Sequence, residues 1–164
     1  MGSKVKIKGL EELQRIIAEL KEEGKEIVLA NGCFDLIHVG HLRYLKGAKA
    51  LGDILVVGVN SDRSVKQIKN HRRPLMSLNE RAEIVAAFEF VDYVVVFDQP
   101  TVKELLLRLK PHYHAKGTDY TEESVPERNI AASCGTLTRV VGDPKGHSTS
   151  QLIRKIVEKH GANH

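Results

Sequence analysis

Three apolar runs without polar alternation stand out along the chain, Ile27-Val28-Leu29-Ala30, the second within Asp53-Ile54-Leu55-Val56-Val57-Gly58-Val59, and Tyr93-Val94-Val95-Val96-Phe97, and His112 to Ala115 reads as a weaker strand. Such runs suit strands buried on both faces, and a fifth is predicted over Thr136–Val141. Between them the period shifts to that of helices. Leu10 to Glu23 carries Leu10, Leu13, Ile16, Ile17 and Leu20 on one face and stops at Gly24. Val39, Leu42, Leu45 and Ala48 form a second stripe, ended by Gly52. Shorter helices are predicted over Ser64–Lys69, from the capping box Ser77–Glu80 to about Phe88, from a second box Thr101–Glu104 to about Lys110, and from Ser124-Val125-Pro126-Glu127 to Gly135. Ser148 opens a last helix bearing Leu152, Ile153, Ile156 and Val157. Residues 1–8 read as a frayed or added start, although Val5 and Ile7 could pack.

Strands alternating with helices predict one α/β domain: a Rossmann-like, doubly wound, five-stranded parallel sheet with helices on both faces. The chain has 164 residues, enough to bury a sizeable core as one domain over 1–164. Its 41% hydrophobic and 28% charged content is ordinary for a globular protein. No apolar run nears the roughly 20 residues that span a bilayer, so a cytoplasmic protein is expected, with no membrane partner. The formal charge of +4 is mild, and a small anionic substrate accounts for it. The absence of Trp and scarcity of Tyr and Phe argue against a base-stacking surface, so no nucleic acid is expected. Cys33 and Cys134 make neither a metal pattern nor a disulfide framework.

In an open parallel sheet the ligand lies beyond the carboxyl ends of the strands. The polar segments after the predicted strands are Asn31 to His41, Asn60-Ser61-Asp62, Asp98, Lys116 to Asp119 and Asp143 to Ser150. The first lies where a strand meets a helix amino end, whose unpaired N–H groups and positive pole favour an anion. His38 and His41 are three residues apart and could face the same way, and Gly40 between them leaves room for a ligand to approach. Zinc is a second possibility for His38, His41 and Asp35, ranked below phosphate because no third strong ligand has a telling spacing.

Gly32-Cys33-Phe34-Asp35 followed by His38-Val39-Gly40-His41 resembles the signature of the cytidylyltransferase-like nucleotidyltransferases. Asn60-Ser61-Asp62, Lys69 and Arg73, Asn79-Glu80-Arg81, Lys116-Gly117-Thr118-Asp119-Tyr120 and Gly146-His147-Ser148-Thr149-Ser150 follow in the family's order, covering about residues 26–158. Within the family the likeness is greatest to the adenylyltransferases that make ADP-heptose. Thr118 replaces a usual Gly, and Ser150 a frequent Thr. Glycerol-3-phosphate cytidylyltransferases and FAD synthetases share the frame, and a catalytically silent nucleotide-binding module is the rival of another class.

The resemblance implies transfer of a nucleotidyl group from ATP to a sugar 1-phosphate, with pyrophosphate released and Mg2+ accompanying ATP. It implies catalytic roles for His38, His41, Lys69 and Arg73. Nucleotide contacts fall to Asn31, Gly32, Cys33, Phe34, Asp35, Gly40, Lys116, Gly117, Asp119, Ser148, Thr149 and Ser150. Substrate contacts fall to Asn60, Asp62 and Arg81. No firm protein ligand for a metal is implied, and a homodimer is.

Overall fold

The apolar run at 27–30 is buried on both faces, as its lack of alternation requires. Ile27 and Leu29 join one hydrophobic layer, Val28 and Ala30 the other. A computed structural model describes residues 2–144 and 146–161. In chain order the elements are α1 (Ser3–Lys6), α2 (Leu10–Glu22), β1 (Ile27–Gly32), α3 (Val39–Lys49), β2 (Ile54–Asn60), α4 (Asp62–Ile68), α5 (Leu78–Ala87), β3 (Tyr93–Phe97), α6 (Lys103–Leu109), β4 (Tyr113–Lys116), α7 (Arg128–Ser133), β5 (Leu137–Val140) and α8 (Thr149–His160). The five strands are parallel, in the order β3-β2-β1-β4-β5. Val28, Ala30 and Val57 pack with Leu45 and Ala48 of α3 and Val85 of α5. On the opposite face Leu29 and Val56 pack with Leu13 and Ile17 of α2 and Leu105 and Leu106 of α6. Among the described residues no helix is long and apolar enough to cross a membrane.

Several element boundaries differ from the expectation. The amino-terminal segment is bound to the sheet rather than frayed. Ile7 bridges Val94 in parallel, Lys8 N–H donates to the Val94 carbonyl at 2.8 Å, and Lys6 Nζ reaches the Phe88 carbonyl at 3.0 Å. This contact covers part of the β3 edge, which would otherwise present unpaired backbone groups. Helix α4 begins at Asp62 because Ser61 is its cap, accepting from Ser64 N–H. The Ser77–Glu80 box forms, but the Thr101–Glu104 box does not: Val102 takes the cap position, and Glu104 accepts from Gln99 instead. Ser124 closes a turn with Thr121, so α7 starts only at Arg128. Ser148 caps α8 as expected, yet the apolar stripe of that helix is unpacked, with Leu152, Ile156 and Val157 exposed.

The order of strands reverses between β1 and β4, and there the two part company. Their pairing ends at Ala30↔Ala115, although β1 runs on beside β2 to Gly32 and β4 beside β5 to Lys116. The hydroxyl of Tyr44, from α3, enters the gap. It accepts from Asn31 N–H at 3.3 Å and donates to the Ala115 carbonyl at 2.7 Å. One side-chain oxygen thus replaces a rung of the ladder while holding the strands apart. Burial keeps this phenol well above its usual pKa, so it remains a donor. Tyr44→Phe leaves a strand N–H and a carbonyl unpaired, which costs about 1–3 kcal/mol. Urea unfolding measures this, and a loss below about 0.5 kcal/mol would rule out the rung.

Candidate active site

The turn from β1 to α3 is built around a buried charge. Phe34 and Leu36, on either side of Asp35, adopt left-handed backbone (φ 53° and 45°), a region that costs non-glycine residues free energy. The Phe34 ring is buried and so is Asp35. The Asp35 carboxylate accepts from Leu75 N–H (2.9 Å), Met76 N–H (3.0 Å) and Arg73 Nε (2.7 Å), and its carbonyl accepts from Thr149 Oγ1 (2.6 Å). Burial by itself would raise the Asp35 pKa. The two backbone donors and the Arg73 guanidinium outweigh burial and hold it below the usual carboxylate range. One residue therefore joins the turn, the basic loop 69–76 and the start of α8.

Helix α3 is capped by imidazoles. Gly40 N–H donates to Nδ1 of His38, and His38 N–H donates to Nδ1 of His41, each at 3.1 Å. A backbone N–H can only donate, so both Nδ1 atoms are lone pairs and each ring keeps its proton on Nε2. The ring centroids are 4.0 Å apart. Burial, then the neighbouring His38, lowers the His41 pKa to about 4, and burial and His147 lower that of His38. The pair is neutral and offers two Nε2–H donors. Gly40 is needed for this packing, since a Cβ there would lie 2.8 Å from the His38 ring. It would also lie 3.3 Å from the Cβ of His147, directly before α8. The amino ends of α3 and α8 thus converge, bringing two positive helix poles to one place.

The remaining candidates divide between the crevice and its frame. Arg81 is fully buried, neither a surface ion pair nor a free cation. Its guanidinium donates to the carbonyls of Met76, Cys33 and Asn60 and to the Asp62 carboxylate. Asn60 is buried and donates to Ser64. Asn60, Asp62 and Arg81 are therefore placed as a knot beneath the turn. Arg73 is held by Asp35, whereas Lys69 is exposed and forms no ion pair among the described residues. The Lys69 charge is felt at both Cys33 and Lys116. Burial pushes the Cys33 thiol up despite nearby cations, so it is a packed thiol; both cysteines are free. Lys116, at the end of β4, lies over the Tyr120 ring at 4.9 Å. Its pKa is lowered chiefly by burial, with Glu127, Cys33 and Asp119 opposing. The backbone at Gly117 is open, and a Cβ added there would meet nothing within 4 Å. Ser148 caps α8, Thr149 is tied to Asp35, and Ser150 stands exposed in the first turn of that helix.

Two residues at the crevice are not evident from the sequence. Tyr44 reads as one position in a helix next to its apolar stripe. His114 reads as a polar interruption of a weak strand, yet it is fully buried, with Nε2 2.9 Å from Asn31 Oδ1. That interruption is the one available signal for His114; Tyr44 has none.

Five parallel strands with a switch point between β1 and β4, and an HxGH turn at a helix amino end beside it, define a Rossmann-like α/β domain. The cytidylyltransferase-like family model matches residues 29–155, and the chain belongs to that family. It is 46% identical over 155 residues to the bifunctional protein HldE of Pelobacter propionicus, covering 94% of this chain and 32% of that protein. Bifunctional protein HldE of Geobacter metallireducens is 47% identical over 159 residues, covering 97% and 32%. The chain spans about a third of the length of the curated relatives it matches. Among solved structures, a lipopolysaccharide core biosynthesis protein from Thermoplasma volcanium GSS1 superposes with a TM-score of 0.63 at 27% identity, over 75% of this chain and 99% of that one. Pantoate-beta-alanine ligase from Francisella tularensis shares the fold, with a TM-score of 0.63 at 15% identity, over 88% and 68%.

The histidine geometry sets a direction for pH dependence. His41 titrates at about 4 in the fold and His114 at about 3, against 6.5 for a free imidazole. Between those values the unfolded chain binds more protons, so stability falls as pH drops from 7 towards 4. A loss on the order of 2 kcal/mol per histidine is expected by about pH 4.5 from urea unfolding, and His41→Gln should remove its share. A stability that stays flat over that range would contradict the neutral caps.

Proposed function

We propose that this chain transfers the adenylyl group of ATP to the phosphate of a sugar 1-phosphate, heptose 1-phosphate by preference, forming ADP-heptose and pyrophosphate. The observation that carries the reading is the pair of neutral imidazoles whose Nε2–H groups are left free by their own caps, where two helix amino ends meet. The sugar rests on the resemblance of Asn31–Asp35 and Lys116–Tyr120 to ADP-heptose-forming enzymes. The relatives called HldE and the neighbour named for lipopolysaccharide core biosynthesis support it.

A phosphate monoester is mostly dianionic at neutral pH, its second pKa being about 6, so the nucleophile needs no general base. One of its oxygens attacks the α-phosphorus in line, a new P–O bond forms, and the bond to the β-phosphate bridging oxygen breaks with the electron pair leaving on pyrophosphate. His38 and His41 donate to the oxygens on which charge accumulates. The amino end of α8, with Ser148, Thr149 and Ser150, takes the β- and γ-phosphates. The Thr149 hydroxyl is committed to Asp35, so its backbone N–H serves there. Lys69 closes over the phosphates, and Arg73 joins it on exchanging Asp35 for phosphate. Asn31, Gly32, Cys33, Phe34 and Gly40 shape the phosphate turn, while Lys116, Gly117 and Asp119 meet the nucleotide. Mg2+ enters as part of the MgATP substrate, held by phosphate oxygens and water. Both Asp35 oxygens are already occupied by N–H donors, so the ion is left to the phosphates. The protein works as a homodimer in the cytoplasm, where ATP is supplied.

A matrix of nucleoside triphosphates against phosphorylated acceptors, read by pyrophosphate release, tests the reading. ATP with heptose 1-phosphate should be the best pair. CTP with glycerol 3-phosphate winning would reassign the substrates, and ATP binding with no pyrophosphate from any acceptor would identify a silent module. His41→Asn retains an acceptor for the His38 N–H, but its shorter carboxamide cannot carry an N–H out to the position of Nε2. It should cut kcat about 10²–10³-fold, with a stability loss of about 1 kcal/mol or less. Unchanged turnover would remove His41 from the reaction.

A further inference from the structure

Strand β4 carries a buried side chain for which the proposed reaction has no use. His114 is fully buried, and its Nδ1 has no partner among the described residues. Its Nε2 lies 2.9 Å from Asn31 Oδ1 across the gap between β4 and β1. A carboxamide oxygen accepts, so Nε2 carries the proton and the orphan Nδ1 is a lone pair. That is the cheaper of the two arrangements, because a buried unpaired N–H is the rarer and costlier defect. Burial, with Lys116 close by, keeps this ring neutral at any physiological pH.

The bond settles which way the Asn31 carboxamide is turned. Its oxygen is taken by His114, and its Nδ2 has no acceptor among the described residues. The backbone of the same residue is held by Tyr44 from the other side. Two elements therefore fix one asparagine, just past the last paired rung of β1 and β4, at the mouth of the crevice. An unrestrained asparagine can offer either a donor or an acceptor by flipping. A pinned one offers donors alone, which suits an oxygen bearing negative charge.

We propose that His114 is a positioning residue that locks the Asn31 carboxamide with its N–H groups facing the crevice, where they donate to a phosphoryl oxygen of the bound ligand. The proposal rests on the adenylyl-transfer reading for the identity of that ligand. The oxygen belongs either to the triphosphate or to the sugar phosphate, and separate titrations tell them apart.

Calorimetric titrations with MgATP and with heptose 1-phosphate, on the wild-type chain and on His114→Leu, His114→Gln, Asn31→Ala, Asn31→Asp and the double variant N31A/H114L, test it. His114→Leu fills the site without a donor and should weaken one of the two ligands about tenfold. His114→Gln can place an N–H near the position of Nε2 and should restore binding to within about threefold. The double variant should bind no more weakly than Asn31→Ala, since the two residues act through one bond. Asn31→Asp keeps the bond to His114 but replaces the outward donor with a charged acceptor, and should bind more weakly than Asn31→Ala. The ligand affected identifies the phosphate. Additive losses in the double variant, or unchanged affinity for both ligands in folded His114→Leu, would overturn the positioning role and leave adenylyl transfer standing. A wild-type chain that binds neither ligand would overturn both.

Discussion

The buried carboxylate of Asp35 is the constraint on which the site depends. A charge removed from water is tolerated only when its oxygens are fully met, and here two backbone N–H groups and a guanidinium meet them. Those donors come from residues 73, 75 and 76, far along the chain, so satisfying the charge also folds the basic loop onto the turn. The left-handed backbone at Phe34 and Leu36 would be costly in isolation. It is held because the Phe34 ring is buried and because Arg81 binds the Cys33 carbonyl from below. Asp35 and Arg81 thus form two opposed anchors of one short segment.

In the proposed reaction, helix capping and phosphate recognition use the same side chains at different atoms. Nδ1 of His38 and of His41 starts α3, and this leaves Nε2–H as the outward face of each ring. An imidazolium at this place would break the cap and oppose the helix pole, so the local structure favours neutral donors. Neutral donors accumulate no charge of their own when the ligand is absent, yet strengthen when charge builds on the ligand. Thr149 extends the arrangement, since its hydroxyl ties the α8 amino end to the same turn.

Much of this is legible in the sequence, for a physical reason. Strands buried on both faces must be apolar throughout, so β1 and β2 announce themselves, the edge strand β3 is as apolar, and Gly24, Gly52 and Pro111 punctuate the helices. The HxGH turn is legible because its chemistry is local to four residues. Contacts made across the sheet are not. Arg81 reads as a substrate-contacting cation at a helix start, with an exposed ion pair as the rival, and its four partners at 33, 60, 62 and 76 are brought together only by folding. The pairing of Arg73 with Asp35 is likewise not legible, because it spans 38 residues. The Thr101–Glu104 box shows the converse limit: a local pattern yields when Gln99 offers Glu104 another partner.

The Tyr44 hydroxyl gives the crevice a built-in gauge. The distance between the ends of β1 and β4 is set by one oxygen, and that oxygen belongs to α3, the helix whose amino end the two imidazoles cap. Aperture and electrostatics are therefore registered to a single rigid body. Any shift of α3 along the sheet alters both together, so the opening is always matched to the charge that waits inside it.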